Sequence, residues 1–400
     1  MLTGFLMRRF LRVMKWILIS LLCIPVSLYF ILLLINFRDS PPSELAQNYL
    51  ADIAENDNAL SNHLNDNAYV FVLGFDVSNT ASPMDVGLER LKKLQHLGVM
   101  DKPQDNQQIR FEKPQLPLEQ CIKEDDFLSS CNVMLKQENN LNALLDEYNW
   151  LIVRYQQLLN IGTWQDGSQF NVFTDSMPFT HLLAAQKLYL FNVLTDASTM
   201  DPLQVAEAIN QDMLFWQRLS ASTHMLIGKM MSNAGMEANM KLGELVMSQL
   251  PHSQLIEALP PSWKHALSPE VLSFDNVKRG EWYYFTQITR ATQVTSDTDI
   301  NTKLIEWLLL PLMQHQDTAN RYAAILNDTA PLNECPSNLS IETFSQYIYN
   351  PVGKFILCSG IISLTPYQER FNRLEHQRAE LVTRLPQDST NINSTLTGQL

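Results

Sequence analysis

Glycine is scarce in this chain, with 13 among 400 residues. That weighs against a fold of many tight turns, which needs residues free to adopt positive φ. Local catalytic signatures are missing too. Neither G-x-x-x-x-G-K nor G-x-G-x-x-G occurs, so a nucleotide cradled on a glycine loop is not expected. G-x-S-x-G and S-x-x-K are also absent, which leaves Ser359, in Cys358-Ser359-Gly360, without the surroundings of a hydrolase nucleophile. The eight histidines are dispersed with no H-E-x-x-H spacing, and the five cysteines contain no C-x-x-C pair. Neither a metal centre nor a cofactor is therefore expected. Basic charge is short as well. Residues 41–400 carry 24 basic and 41 acidic side chains, a net charge of −17 that argues against nucleic acid or anionic lipid headgroups as partners.

What the chain does have is one long apolar run. Trp16 to Phe37 holds 22 residues without a formal charge, enough for a helix of roughly 30 Å, the thickness of a bilayer's hydrocarbon core. A soluble core helix needs a polar face, and this run has none. Pro25 falls inside it, which membrane helices tolerate. Arg8, Arg9, Arg12 and Lys15 precede the run, while only Arg38, offset by Asp39, follows closely. By the positive-inside rule the basic segment 1–15 stays in the cytoplasm, residues 16–37 span the bilayer, and the remainder is exported. No small-x-small cleavage site follows the run, and bulky Leu22 before Cys23 does not suit lipid attachment, so retention as an anchor is expected.

The exported part is rich in Leu, Gln, Glu, Met and Ala, which favour helix. The expected fold class is all-α: one N-terminal transmembrane helix, then an irregular multi-helix domain over 40–385 and a Ser, Thr and Asn-rich disordered tail over 386–400. Leu141 to Leu159 repeats apolar residues at helical spacing over five turns. Asp201-Pro202 reads as an N-cap followed by proline at the first helical position. Further single helices are expected over Ser222–Leu250, Asn301–Leu326, Ile341–Tyr349 and Val352–Leu385. Two stretches stay open between helix and strand, the buried-looking AYVFVLGF around residues 69–75 and the aromatic segment 281–294. In the first, Asp66 and Asn67 are available as caps, which favours helix.

Four cysteines lie beyond the anchor. An even number in an exported domain points to two disulfides, and the pairs with the shortest loops are Cys121 with Cys131 and Cys335 with Cys358. Zinc binding and free buried thiols are the alternatives. Lys229, set among methionines and leucine in THMLIGKMM, is a candidate general base if desolvation lowers its pKa, with Asp212 or Glu207 as partner. The plainer reading is a lysine that reaches solvent or forms a structural ion pair. Met225, Met230, Met231, Met236, Met240 and Met247 either make a plastic surface for apolar ligands or fill the core.

The stretches AYVFVLGFDV (68–77), FWQRL (215–219), LIGKMM (226–231), QDTANRYA (316–323) and YNPVGKFIL (349–357) resemble blocks in a family of uncharacterised bacterial single-pass membrane-anchored proteins. The resemblance implies a bacterial inner-membrane setting with a periplasmic domain, and it carries no activity to any residue. Together these observations lead to an expected binding or interaction module of the cell envelope, tethered to the lipid bilayer through 16–37 and engaging an envelope protein partner. An envelope hydrolase or transferase with a nonlocal active site is the alternative.

Overall fold

The computed structural model describes residues 2–102, 110–116, 119–124, 126–137, 141–173, 177–291, 300–329, 340, 345–361 and 363–396. The protein is all-α: among the described residues there is no strand, only the isolated bridges Asn67–Thr163 and Val77–Arg110. The chain divides into two units, one of Met1–Tyr49 with Phe285–Ser363 and one of Leu50–Tyr284 with Leu364–Leu400.

The first unit contains the helix Leu2–Ile35, with Pro25 inside it. Its stretch Phe10–Ile35 is long and apolar enough to cross a membrane and is not buried in the protein. The chain leaving this helix is fixed by polar groups. The Asp39 carboxylate accepts the backbone N–H groups of Gln316 and Asp317 at 2.7 and 3.0 Å, capping the helix His315–Leu326 from a distance. Asn320 binds both sides of the linker, accepting the Ser43 N–H and donating to the Pro41 carbonyl, each at 2.9 Å.

The expected single helix Asn301–Leu326 is broken. It consists of Ile300–Leu309, a 3-10 turn Leu310–Leu312 and His315–Leu326, because Pro311 lacks the N–H that a continuous helix needs. The expected helix Val352–Leu385 is likewise two, Pro351–Gly360 and Thr365–Leu396. The first ends at Ile361, whose backbone is extended, and Pro366 falls in the first turn of the second. Of the expected helix Ile341–Tyr349, residues 341–344 lie outside the described residues, and 347–350 are turn and bend. The tail expected to be disordered is described as helix to Leu396, with 397–400 outside the described residues.

The second unit is built on three consecutive packed helices, Phe179–Asp196, Pro202–Ser222 and Leu226–Met247. Pro202–Ser222 starts with a full capping box, Asp201 accepting the Leu203 N–H while Gln204 reaches back to the Asp201 N–H. Glycines let two indoles enter between helices. A Cβ on Gly235 would fall 2.1 Å from the Trp216 ring, and one on Gly243 would fall 2.7 Å from Trp263.

AYVFVLGF is a helix, Ala68–Leu73, capped by Asn67, whose Oδ1 accepts the Tyr69 N–H at 3.0 Å. All six residues are buried, so the segment has no polar face to reveal its period. The stretch from 281 is also helical, within Asp275–Ala291, while 292–294 lie outside the described residues. The five-turn run from Leu141 bends at Tyr148 into Leu141–Glu147 and Asn149–Leu159. Beyond the bend, the buried Arg154 gives its guanidinium to the carbonyls of Phe75, Val77, Ser78 and Ala81, holding the loop after Ala68–Leu73. Burial lowers its pKa to about 10. Cys121 and Cys131 are joined by a disulfide and lie in the core. Cys358 of the first unit is also disulfide-bonded, and its expected partner Cys335 lies outside the described residues.

Candidate functional site

Asp212 and Lys229 are both fully buried in the second unit, and each is engaged by its own set of partners. Asp212 projects from Pro202–Ser222 and accepts Tyr155 Oη–H at 2.5 Å, Gln186 Nε2 at 2.7 Å and Asn239 Nδ2 at 2.8 Å. Asn239 extends the network, accepting the Trp263 indole N–H at 2.8 Å and donating to the Ile209 carbonyl. The Trp216 indole N–H faces the same cluster without completing a hydrogen bond. Burial raises the Asp212 pKa to about 6, against the opposing pull of the hydrogen-bond donors around it.

Lys229 Nζ donates to the carbonyls of Ser220 and Val271 at 2.9 and 2.6 Å, and lies 4.8 and 5.3 Å from the ring centres of Phe371 and Phe274. Both carbonyls belong to final helical turns, of Pro202–Ser222 and Pro269–Leu272, where intrahelical donors have run out. The ammonium therefore ties two helix ends together, and the aromatic faces add cation–π attraction. Burial lowers its pKa to about 7, with Asp275 acting in the opposite sense. No hydrogen bond or ion pair joins Lys229 to Asp212 among the described residues. Glu207 is exposed and accepts from Gln211.

A third buried carboxylate, Asp166, sits before the start of Leu226–Met247. It accepts Thr223 Oγ1–H at 2.6 Å and the His224 backbone N–H at 2.9 Å, and pairs with His224 Nδ1 at 2.9 Å. This resembles a base held by its carboxylate, yet the described hydrogen bonds of the His224 ring end at Asp166, and no hydroxyl or thiol nucleophile is joined to it.

Beside this cluster is a cavity of about 430 Å³ lined by Gln169, Phe170, Met225, Leu226, Ile227, Met230, Glu281, Tyr284 and Tyr367. Its wall is apolar except for Gln169, Glu281 and the two phenols. Glu281 accepts the Leu226 N–H at 3.2 Å, and burial raises its pKa above the usual carboxylate range. Tyr284 stacks edge-on against Phe170, 4.6 Å between ring centres, and burial together with the Asp166 charge holds its hydroxyl protonated well above the usual range. The methionines separate here: Met236, Met240 and Met247 are core, while Met225 and Met230 face the cavity. A wider cleft of about 890 Å³ contains Glu124, Glu237, Glu244 and Glu380, with Lys241 paired to Glu237 and Arg384 to Glu244. Among the described residues no three His, Cys, Asp or Glu side chains converge as a metal site.

The sequence pattern points to Lys229 and the methionines but not to Glu281, Tyr284 and Asp166. Glu281 and Tyr284 come from the helix Asp275–Ala291 and Asp166 from a loop more than a hundred residues earlier, so no local spacing joins all three. No family model, curated protein or solved structure matches this chain.

Proposed function

We propose that this protein is a single-pass, membrane-anchored binding module of the bacterial cell envelope, with its N-terminus in the cytoplasm and its helical body in the periplasm. The basic flank before the apolar helix supports the orientation, and the Cys121–Cys131 disulfide suits an oxidising compartment. The observation that carries the binding function is the cavity at Met225, Met230, Tyr284 and Glu281. It offers conformable thioethers, an aromatic wall and one carboxyl group in an apolar setting, the composition of a site for a largely apolar ligand or peptide side chain bearing a hydrogen-bond donor. Ile227, 49% exposed, stands at its edge and gives an incoming group its first apolar contact.

The test is a photo-crosslinking residue placed at Ile227 in the full chain in intact cells, with Leu203, a leucine of the same unit that is 59% exposed, as reference. A discrete adduct at 227 that is missing at 203 is expected. The same outcome at both positions contradicts the proposal. The hydrolase or transferase reading gains no support, since both acid–base candidates, Lys229 and Asp212, are committed to internal partners and closed to solvent.

A further inference from the structure

The first unit has an inverted helix. Of residues 303–312, those exposed are Leu304, Ile305, Trp307, Leu309 and Pro311, while Lys303 and Glu306 are both partly buried. A helix lying on a water-facing surface does the opposite, turning its charges outward and its apolar stripe in. The exposure is large: 55% for Leu304, 56% for Ile305 and 65% for Trp307. Phe355, on the neighbouring helix Pro351–Gly360, is 65% exposed as well. An apolar surface of this kind marks a place where something other than water is the solvent.

The depth of this helix identifies the solvent. Tyr29 Oη donates to the Leu308 carbonyl at 2.9 Å. Among the described side chains of Phe10–Ile35, those partly buried are Tyr29, Leu32 and Leu33, followed by the buried Asn36, one face at helical spacing. Protein contact therefore continues seven residues back from Asn36, roughly 10 Å along the helix axis. Leu308 stands level with Tyr29, inside the apolar run and not beyond its end.

We propose that the segment 303–312 is inserted into the membrane on the exported side, with Leu304, Ile305, Trp307 and Leu309 against lipid chains. The inference rests on the anchor reading above, since without a bilayer around Phe10–Ile35 there is nothing for this face to enter. Neutral lipid is the occupant the chemistry fits, because the face presents apolar and aromatic groups and no exposed cation. Insertion would fix the first unit to the bilayer by two elements instead of one, restricting its tilt.

Power-saturation EPR on the full chain in phosphatidylcholine vesicles tests this. Single spin labels are placed at 304 and 307 in a Cys23→Ser background, with Ile31→Cys as the reference in the anchor and Asn327→Cys as the aqueous reference. Labels at 304 and 307 are expected to collide with oxygen in preference to a water-soluble nickel complex, as at 31, with a ratio several-fold above that at 327. If 31 reports lipid while 304 and 307 match 327, insertion is wrong and the anchor stands. If 31 itself reports water, the anchor reading fails. Low collision with both reagents at 304 and 307 means that protein, a second copy or a partner, covers the face, and overturns the proposal.

Discussion

Asn350 donates its backbone N–H to Asn36 Oδ1 at 2.7 Å, joining the residue that follows the apolar helix to a left-handed turn more than three hundred positions away in sequence. Asn36 in turn gives Nδ2 to the carbonyls of Leu32 and Ile348 and takes Gln314 Nε2 on its own carbonyl. The Asn350 side chain accepts the N–H groups of Gln314 and Gly353 and donates to Asp317 and Thr318. The end of the anchor is thereby part of a buried polar knot, not the start of a free linker.

Asn350 has φ 53°, a region that asparagine and glycine occupy more easily than other residues. Asn350→Gly keeps the backbone but loses the side-chain bonds, and is expected to cost about 3 kcal/mol in local stability. Asn350→Ala adds backbone strain of about 1 kcal/mol more. Amide hydrogen exchange at Gln314 and Gly353 reads both effects, and unchanged protection in either variant contradicts the assignment.

Asp212 gives stability a definite pH dependence. Its carboxyl titrates at about 6 in the folded protein against an ordinary value of 3.8, so over that window the folded state holds a proton that the unfolded chain releases. Stability is then lost as pH rises from about 4 to about 6, by roughly 3 kcal/mol. Asp212→Asn lacks this dependence, so its deficit relative to the parent should be largest near pH 4 and smallest near pH 7. Thermal unfolding in detergent at both pH values checks it, and a deficit that does not change with pH rules out the account.

Lys229 acts in the opposite sense on the alkaline side. The folded amine loses its proton at about 7 and the ordinary value is 10.5, so between them the unfolded chain binds the extra proton and stability rises with pH. Lys229→Met removes both the carbonyl bonds and this dependence. Its penalty should be about 2 kcal/mol greater at pH 9 than at pH 7. The same unfolding measurement decides it, since an equal penalty at both values would mean the lysine stays charged throughout.

Features written in local chemistry were legible in sequence. The apolar run, the N-cap at Asp201 with Pro202 after it and the helical character of the body all follow from residues close together in the chain. The Cys121–Cys131 pair is of the same kind, a short loop closed between two residues that finish side by side. Helix breaks were harder to read, because Tyr148 carries no breaker signal and its bend serves a guanidinium whose acceptors lie more than seventy residues upstream. The cavity was harder still. Glu281 and Tyr284 belong to one helix, Met230 to another that Met225 precedes as N-cap, and Tyr367 to a third, so only the packed structure brings them together. The inverted helix could not be recognised from composition, since LIEWLLLPL fits a core helix equally well until its exposed side is known.

If the cavity at Met225 and Met230 takes an apolar ligand, those two methionines respond to it while Met236 and Met240, which are core, do not. Methyl NMR of the full chain in nanodiscs, with carbon-13 at the methionine ε-methyls, tests it during titration with organic and aqueous extracts of the cell envelope. The Met225 and Met230 resonances are expected to shift in a saturable way while those of Met236 and Met240 stay in place. Resonances that all remain fixed, or core methyls that move along with the cavity pair, would contradict it.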